Sequence, residues 1–173
     1  MRRPLHVLTA VGAVAHHGFE LVAGVGLVFQ PYLGLGGAAA LWGIGLPGWL
    51  VIAARGSGRW DRLLAVLAGL SAGGAAVHYT LWPVEVRRGL PLLVEAEGLR
   101  PESLPAYNAL LYGWAGVAVA AVLLETPSEE RRWAAAGMVA ALPLRASARH
   151  HFRWIREQAE TRPAWWNRAL AER

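Results

Sequence analysis

The sequence predicts an all-α fold, a polytopic membrane bundle of four to five transmembrane helices with a basic interfacial C-terminal helix. The chain has 173 residues, of which 55% are hydrophobic and only 17% charged, whereas a soluble domain carries about 25% charged residues. The mean hydropathy is +0.31, and the apolar residues are grouped in runs near the roughly 20 residues that cross a bilayer as a helix. These observations exclude a disordered chain and an ordinary water-soluble enzyme, and the lack of cysteine excludes a disulfide scaffold.

Four apolar segments are predicted to be spanning helices within one integral membrane domain covering residues 1–173. Proline and glycine residues lie between the segments, where helices end. Pro105 is at the first turn of the fourth segment, a position that favours a helix start. Segments in lipid must be helical, because their backbone groups find no water to bond. The predicted helices cover residues 5–29, 33–54, 62–82 and 105–124.

A fifth helix is predicted over residues 131–152, and its relation to the membrane is left open. The segment Thr126-Pro127-Ser128-Glu129 has the form of a capping box with proline in the first turn, which predicts a helix start there. The apolar run that follows, residues 133–144, is shorter than a span needs, so a buried, interfacial or re-entrant helix is the alternative. Residues 150–173 are predicted to form an amphipathic basic tail, with Trp165 and Trp166 at the level of the lipid head groups.

The arginine distribution tests the number of spans. All 17 basic residues are arginine, and the net charge is +5. With four spans, fourteen arginines lie on the side of the N-terminus and three on the other, whereas five spans nearly balance the two sides. The positive-inside rule therefore favours four spans in a multi-pass protein of the inner or plasma membrane. The tail is predicted to contact anionic lipid head groups, and no nucleic acid is expected as a partner.

The longest connection, residues 83–104, mixes acidic and basic residues. Within it, Pro91–Glu97 is predicted to form a short interfacial helix or a lid.

Polar and small residues recur at helical spacing inside the predicted spans. Spacings of three and four stack side chains on one helix face, and small residues beside polar ones indicate a face turned toward other helices. Ionisable groups in a span are costly and are taken as functional by default. The four stripes are Gly12, His16, Glu20 and Gly24, with His17 on the same side; Ser71, Gly74 and His78; Asn108, Tyr112 and Gly116; and Gly137, Ala141, Arg145 and Arg149.

Helical rise predicts that several of these polar residues share one depth. At about 1.5 Å per residue, Glu20 and His78 each lie roughly 22 Å from the face where their helices enter. Asn108 and Tyr112 come at roughly 25 and 20 Å, and Arg145 at about 21 Å if the fifth helix crosses. Since a lone carboxylate in hydrocarbon is unstable, Arg145 is predicted to pair with Glu20, which favours five spans.

The polar residues predicted to share this depth indicate an intramembrane enzyme that uses acid–base chemistry. The expected substrate is a lipid-soluble, isoprenoid- or sterol-like molecule, and the expected reaction is isomerisation, cyclisation or hydrolysis. The roles predicted from the sequence are Glu20 as acid or base, His16 or His17 as its relay, His78 or Tyr112 as a second proton donor, and Asn108, Trp114 and Arg145 as substrate-binding residues. The His16-x-x-x-Glu20 spacing resembles the histidine–glutamate pair of the emopamil-binding sterol isomerases over one helical turn.

Other classes of function stay open on the sequence alone. The same polar residues suit a proton relay in a transporter or channel subunit. Histidine and glutamate could also hold a divalent metal at His16, His17, Glu20 and His78, or His17 and His78 could ligate a haem. A structural anchor in a larger complex and a homo-oligomer are further alternatives, and no cofactor is otherwise expected.

Overall fold

The computed structural model describes residues 3–55 and 58–171 and is 77% helical. The long helices pack around an interior rich in alanine that also holds large side chains such as Tyr107 and Leu111, with one β-hairpin at one end. The elements in chain order are α1 (Pro4–Ala23), α2 (Gln30–Arg55), α3 (Asp61–Leu81), β1 (Val84–Arg87), β2 (Leu90–Leu93), α4 (Leu104–Leu124), α5 (Arg132–Thr161) and α6 (Arg168–Ala171), with short 3-10 turns at Gly58–Trp60 and Pro101–Ser103.

Among the described residues, four helices are long and apolar enough to cross a membrane. They cover Pro4–Ala23, Gln30–Arg55, Gly58–Leu81 and Pro101–Leu124. The mostly helical fold and the four membrane-length helices agree with the coarse prediction from the sequence.

The described helices differ from the predicted ones in α1, α2 and α5, and α5 continues to Thr161 instead of ending at residue 152. α1 stops at Ala23 instead of residue 29, because Gly24 takes a left-handed conformation with φ of 83° and caps the helix. α5 begins at Arg132, several residues after the predicted capping box, and the Thr126 hydroxyl bonds the Ala121 carbonyl instead. α2 is interrupted at Gly34, where φ is 67° and ψ is 175°.

The hairpin corrects the prediction of an interfacial helix at Pro91–Glu97. Strands β1 and β2 pair antiparallel with Val84 opposite Leu93 and Arg87 opposite Leu90. The two turn residues, Arg88 and Gly89, both have positive φ, at 53° and 80°, as a type I′ hairpin requires. The fold is therefore helical with one small two-stranded sheet.

The helix directions define two ends of the bundle. At the Arg3 end, the Glu125 carboxylate accepts hydrogen bonds from the backbone N–H groups of Leu5 and His6 at 2.9 and 3.0 Å. Arg3 also pairs with Asp61 there, so the starts of α1 and α3 meet the end of α4. The opposite end carries the hairpin and is called the hairpin end below.

α5 lies beside α3 along the whole of α3 and runs in the same direction. Near the Arg3 end, the Arg62 guanidinium lies 4.7 Å from the centre of the Trp133 ring. At the hairpin end, the Trp82 and Phe152 rings meet edge to face with centroids 5.2 Å apart. α5 therefore extends along the full length of the membrane-length helix α3, although its second half is rich in arginine.

Glycine allows this close approach of α3 and α5. A Cβ atom at Gly137 would overlap the Val66 carbonyl oxygen and lie 2.7 Å from the Leu70 amide nitrogen. A Cβ atom at Gly69 would likewise overlap the Ala134 carbonyl. The backbones are thus in direct contact, as small residues permit at helix interfaces.

Candidate functional site

The first helix supplies three of the polar residues that meet near the hairpin end. His16 and Glu20 lie four residues apart in α1 and share a face with Gly12. A Cβ atom at Gly12 would overlap the Trp114 indole, so glycine lets α4 approach α1. The Trp114 ring then stacks on the His16 ring, with centroids 4.8 Å apart, and its N–H donates to the Thr9 carbonyl at 3.1 Å.

Glu20 is the point on which the polar side chains converge. The Tyr107 hydroxyl donates a hydrogen bond of 2.7 Å to Glu20 Oε1. His16 Nε2 and His78 Nε2 lie 3.6 and 3.5 Å from the same oxygen. His17 Nδ1 lies 3.9 Å from Glu20 Oε2. These five residues are called the Glu20 centre below, and they confirm the prediction that Glu20 and His78 meet.

The depth of the Glu20 centre follows from the helix ends. Glu20 is the fourth residue from the end of α1, His78 the fourth from the end of α3, and Tyr107 the fourth residue of α4. Since three helical steps rise about 4.5 Å, the centre lies about one turn inside the hairpin end.

The orientation of His78 is set by a backbone contact. His78 Nδ1 lies 2.7 Å from the Gly74 carbonyl oxygen. Because a carbonyl only accepts, Nδ1 carries the proton and donates it to Gly74. His78 Nε2 is therefore the nitrogen that faces Glu20.

A cavity of about 360 Å³ opens beside the Glu20 centre. All five residues of the centre line it, together with aliphatic and aromatic side chains from α1, α2, α3, α4 and α5. The aromatic lining consists of Phe29, Trp42, Trp49, Trp82, Tyr107, Trp114 and Phe152. A cavity of this size and apolar character is typical of small-molecule sites.

Two more polar groups line the cavity on the side of the hairpin end. Glu97 pairs with Arg156 of α5. His151 is 7% exposed and its Nε2 lies 3.1 Å from the Val25 carbonyl oxygen. Its Nδ1 has no hydrogen-bond partner among the described residues. The cavity therefore has a second polar region besides the Glu20 centre.

Three residues predicted for the site lie elsewhere. Asn108 is buried but bonds the backbone of Leu93 in β2. The Tyr112 hydroxyl donates to the Pro91 carbonyl at 2.6 Å. The predicted pairing of Arg145 with Glu20 is wrong, because Arg145 is an exposed residue of α5 and does not line the cavity. Within the described chain, the basic side chains within reach of Glu20 are histidines.

Asn108 instead holds the hairpin against α4, and its loss is predicted to loosen that end of the bundle. Its side chain makes three hydrogen bonds of 2.9–3.0 Å, to Leu93 N–H, Leu93 C=O and Leu104 C=O. Asn108→Ala leaves the buried Leu93 groups unpaired, at about 1–3 kcal/mol for each. We expect faster amide exchange and proteolysis in residues 84–99. Tyr112→Phe, which removes one exposed bond to the same hairpin, is the matched control with a smaller effect. Equal rates of amide exchange and proteolysis in Asn108→Ala and wild type would contradict this role.

Sequence reasoning missed Tyr107 because it followed the stripe that begins one residue later. The buried residues of α4 recur at three- and four-residue steps and include Tyr107, Leu111, Trp114, Ala118 and Ala121. This helical spacing of small and aromatic residues in the sequence could have predicted that Tyr107 lies on the buried face of α4. The contributions of Trp42, Trp49 and His151 had no comparable signal, since they depend on how α2 and α5 are placed.

The Glu20 centre has the residue types that hold a metal ion. His16, His17 and Glu20 each offer a ligand atom, and these atoms lie within 4.8 Å of one another. The geometry does not favour a haem between His17 and His78, because both direct a ring nitrogen to Glu20, which takes the place that a bridging iron would need.

Fold and site together define a helical protein with membrane-length helices and a mostly apolar cavity lined by the Glu20 centre and by a second polar region at Glu97 and His151. No family model, curated protein or solved structure matches the chain.

Proposed function

We propose that the protein is a multi-pass membrane enzyme that transforms a lipid-soluble molecule in the cavity by acid–base chemistry at Glu20. The observation that carries this proposal is a carboxylate held by a tyrosine and faced by three imidazoles on the wall of a mostly apolar cavity. An isoprenoid- or sterol-like molecule suits this aromatic lining. Isomerisation, cyclisation and hydrolysis are the reaction classes that such a centre supports.

The proposed roles follow from the contacts of each group. Glu20 donates a proton to the substrate or accepts one from it, because the tyrosine and the three histidines of the centre all contact its carboxylate. His16 and His17 are the adjacent relay on the same helix, and His78 is the second proton carrier on α3. Tyr107 replaces Tyr112 in the predicted scheme, because its hydroxyl reaches Glu20 directly.

We place the chain in the membrane as a bundle of five helices, with α5 beside α3. The exposed aliphatic side chains of α2 and of the first half of α5 suit contact with acyl chains; they include Leu41, Ile44, Val51, Val139 and Leu142. Trp165, which is 58% exposed, and the arginines of the C-terminal segment would contact anionic head groups. Trp166 does not join them, because it is buried against Ile155 and Leu170.

The cavity test fills the space beside the Glu20 centre without changing its residues. Gly74 lines the cavity, and a Cβ atom there would meet only Trp114, at an ordinary 3.9 Å. The first carbon of Gly74→Leu therefore fits, and the rest of the side chain enters the cavity. We expect a several-fold loss of the apolar molecules that co-purify with the protein, measured by mass spectrometry of solvent extracts.

Gly113→Leu is the matched control, because it adds the same side chain at an exposed position of α4 with nothing within 4 Å. Its extract should equal that of the wild type. An unchanged extract from Gly74→Leu, in protein that elutes and melts like the wild type, would remove the cavity as the binding site.

A further inference from the structure

Three imidazole nitrogens face one carboxylate at distances that do not suit hydrogen bonds. His16 Nε2 and His78 Nε2 are 3.6 and 3.5 Å from Glu20 Oε1, and His17 Nδ1 is 3.9 Å from Oε2. A hydrogen bond between nitrogen and oxygen spans about 2.7–3.2 Å. The groups are thus close enough to share one small cation but too far apart to bond directly.

The tautomer of His78 determines which ring nitrogen carries a proton and which one faces Glu20. Its Nδ1 proton goes to the Gly74 carbonyl, 2.7 Å away. In the neutral ring, Nε2 therefore presents a lone pair to Glu20, whose oxygens are also acceptors. Two acceptors that face each other in a buried place repel unless a proton, a water molecule or a metal ion lies between them, and a metal ion is the one of these that all three imidazoles can share.

The surrounding contacts are those that metal ligands commonly have. A ligating histidine usually donates its other N–H to a backbone carbonyl or carboxylate, and a ligating carboxylate accepts a further hydrogen bond. His78 makes the first kind of contact through Gly74, and Glu20 makes the second through Tyr107.

The distances from Glu20 to the two nearest imidazoles also fit an ion of ordinary size, whereas the ligand atoms of His16, His17 and Glu20 spread over up to 4.8 Å and would draw closer around it. With bonds of about 2.0–2.2 Å, neighbouring ligand atoms of a tetrahedral site lie about 3.3–3.6 Å apart. The distances from Glu20 Oε1 to His16 and His78, 3.6 and 3.5 Å, meet this value. His17, at 3.9 Å, lies slightly beyond it. Imidazole and carboxylate ligands together suit zinc and the neighbouring transition metals.

We infer that His16, Glu20, His78 and His17 bind one divalent transition-metal ion as its four ligands, beside the cavity. The inference concerns the centre of the proposed function but does not require catalysis. Protons and a metal ion compete for the same lone pairs.

The test uses Co²⁺ as a coloured probe on the full chain in detergent, without a polyhistidine tag and after treatment with a chelator. We expect one Co²⁺ per chain and the intense visible absorption of tetrahedral cobalt. His78→Ala and His16→Gln should each weaken binding at least about tenfold, because each removes a ligand. His78 is 18% exposed, so its replacement is the variant better able to keep the fold, which thermal unfolding verifies.

His150→Ala is the matched control, since it removes a histidine of α5 that does not line the cavity. Its cobalt spectrum should equal that of the wild type. Absence of saturable binding, or equal binding by wild type and folded His78→Ala, would overturn the inference.

Activity measured on Glu20→Gln separates this inference from the proposed function. Loss of turnover in that variant, combined with no cobalt binding by the wild type, would overturn the metal site and leave the enzyme. Cobalt binding as expected, combined with full turnover by Glu20→Gln, would overturn the enzyme and leave the metal site.

Discussion

Glu20→Gln is expected to lower turnover by about 10²–10⁴-fold, the usual contribution of a general acid or base. The amide keeps the shape of the side chain and an oxygen that can accept the Tyr107 hydrogen bond, but it cannot carry the proton. Wild type and variant are compared in vesicles prepared from membrane lipid extract, and substrate loss and product gain are followed by mass spectrometry. This is the largest effect on activity that the Glu20 centre predicts.

Glu95→Gln is the matched control for this prediction. It makes the same chemical change at an exposed residue of the loop that follows the hairpin, so its turnover should equal that of the wild type. Full turnover by Glu20→Gln would remove the acid–base proposal. Equal thermal unfolding of both variants would show that lost activity is not lost folding.

Gly137→Ala is expected to give the largest loss of stability from a single added methyl group. The new Cβ would overlap the Val66 carbonyl oxygen and crowd the Leu70 amide at 2.7 Å. Because both neighbours are backbone atoms of α3, rotation of a side chain cannot relieve the overlap, and the helices must separate. Overpacking of this kind costs about 1–3 kcal/mol or more. A lower midpoint of thermal unfolding in detergent is the measurement.

Separation of α3 and α5 should also disturb the cavity, since Leu70 and His78 of α3 and Ala148 and His151 of α5 all line it. Gly113→Ala is the control, as nothing lies within 4 Å of the added atom, and its midpoint should stay near that of the wild type. A midpoint for Gly137→Ala equal to that of Gly113→Ala would contradict the close helix contact.

The stripes on α1 and α3 could be predicted because a spacing of three or four residues is a property of the helix itself. Gly12, His16 and Glu20 share one face of α1, and Gly74 and His78 both reach the cavity. The same rule selected the wrong stripe on α4, since Asn108 and Tyr107 are adjacent and either could face inward. Their roles differ because β2 lies over Asn108, and a hairpin cannot be placed from the helical period.

The composition and the helical period by themselves determined that this chain forms long apolar helices and that Glu20 and His78 lie at a similar depth along theirs. Those features depend on local geometry and on the cost of burying charge. Only the tertiary structure decided that Tyr107 bonds Glu20, that Arg145 lies outside the cavity, and that α5 lies beside α3 over the full length of α3. These features depend on how whole helices are rotated and how closely they approach. Glycine contacts between helices and the packing of the hairpin on α4 determine both, and they join residues that are far apart in the chain.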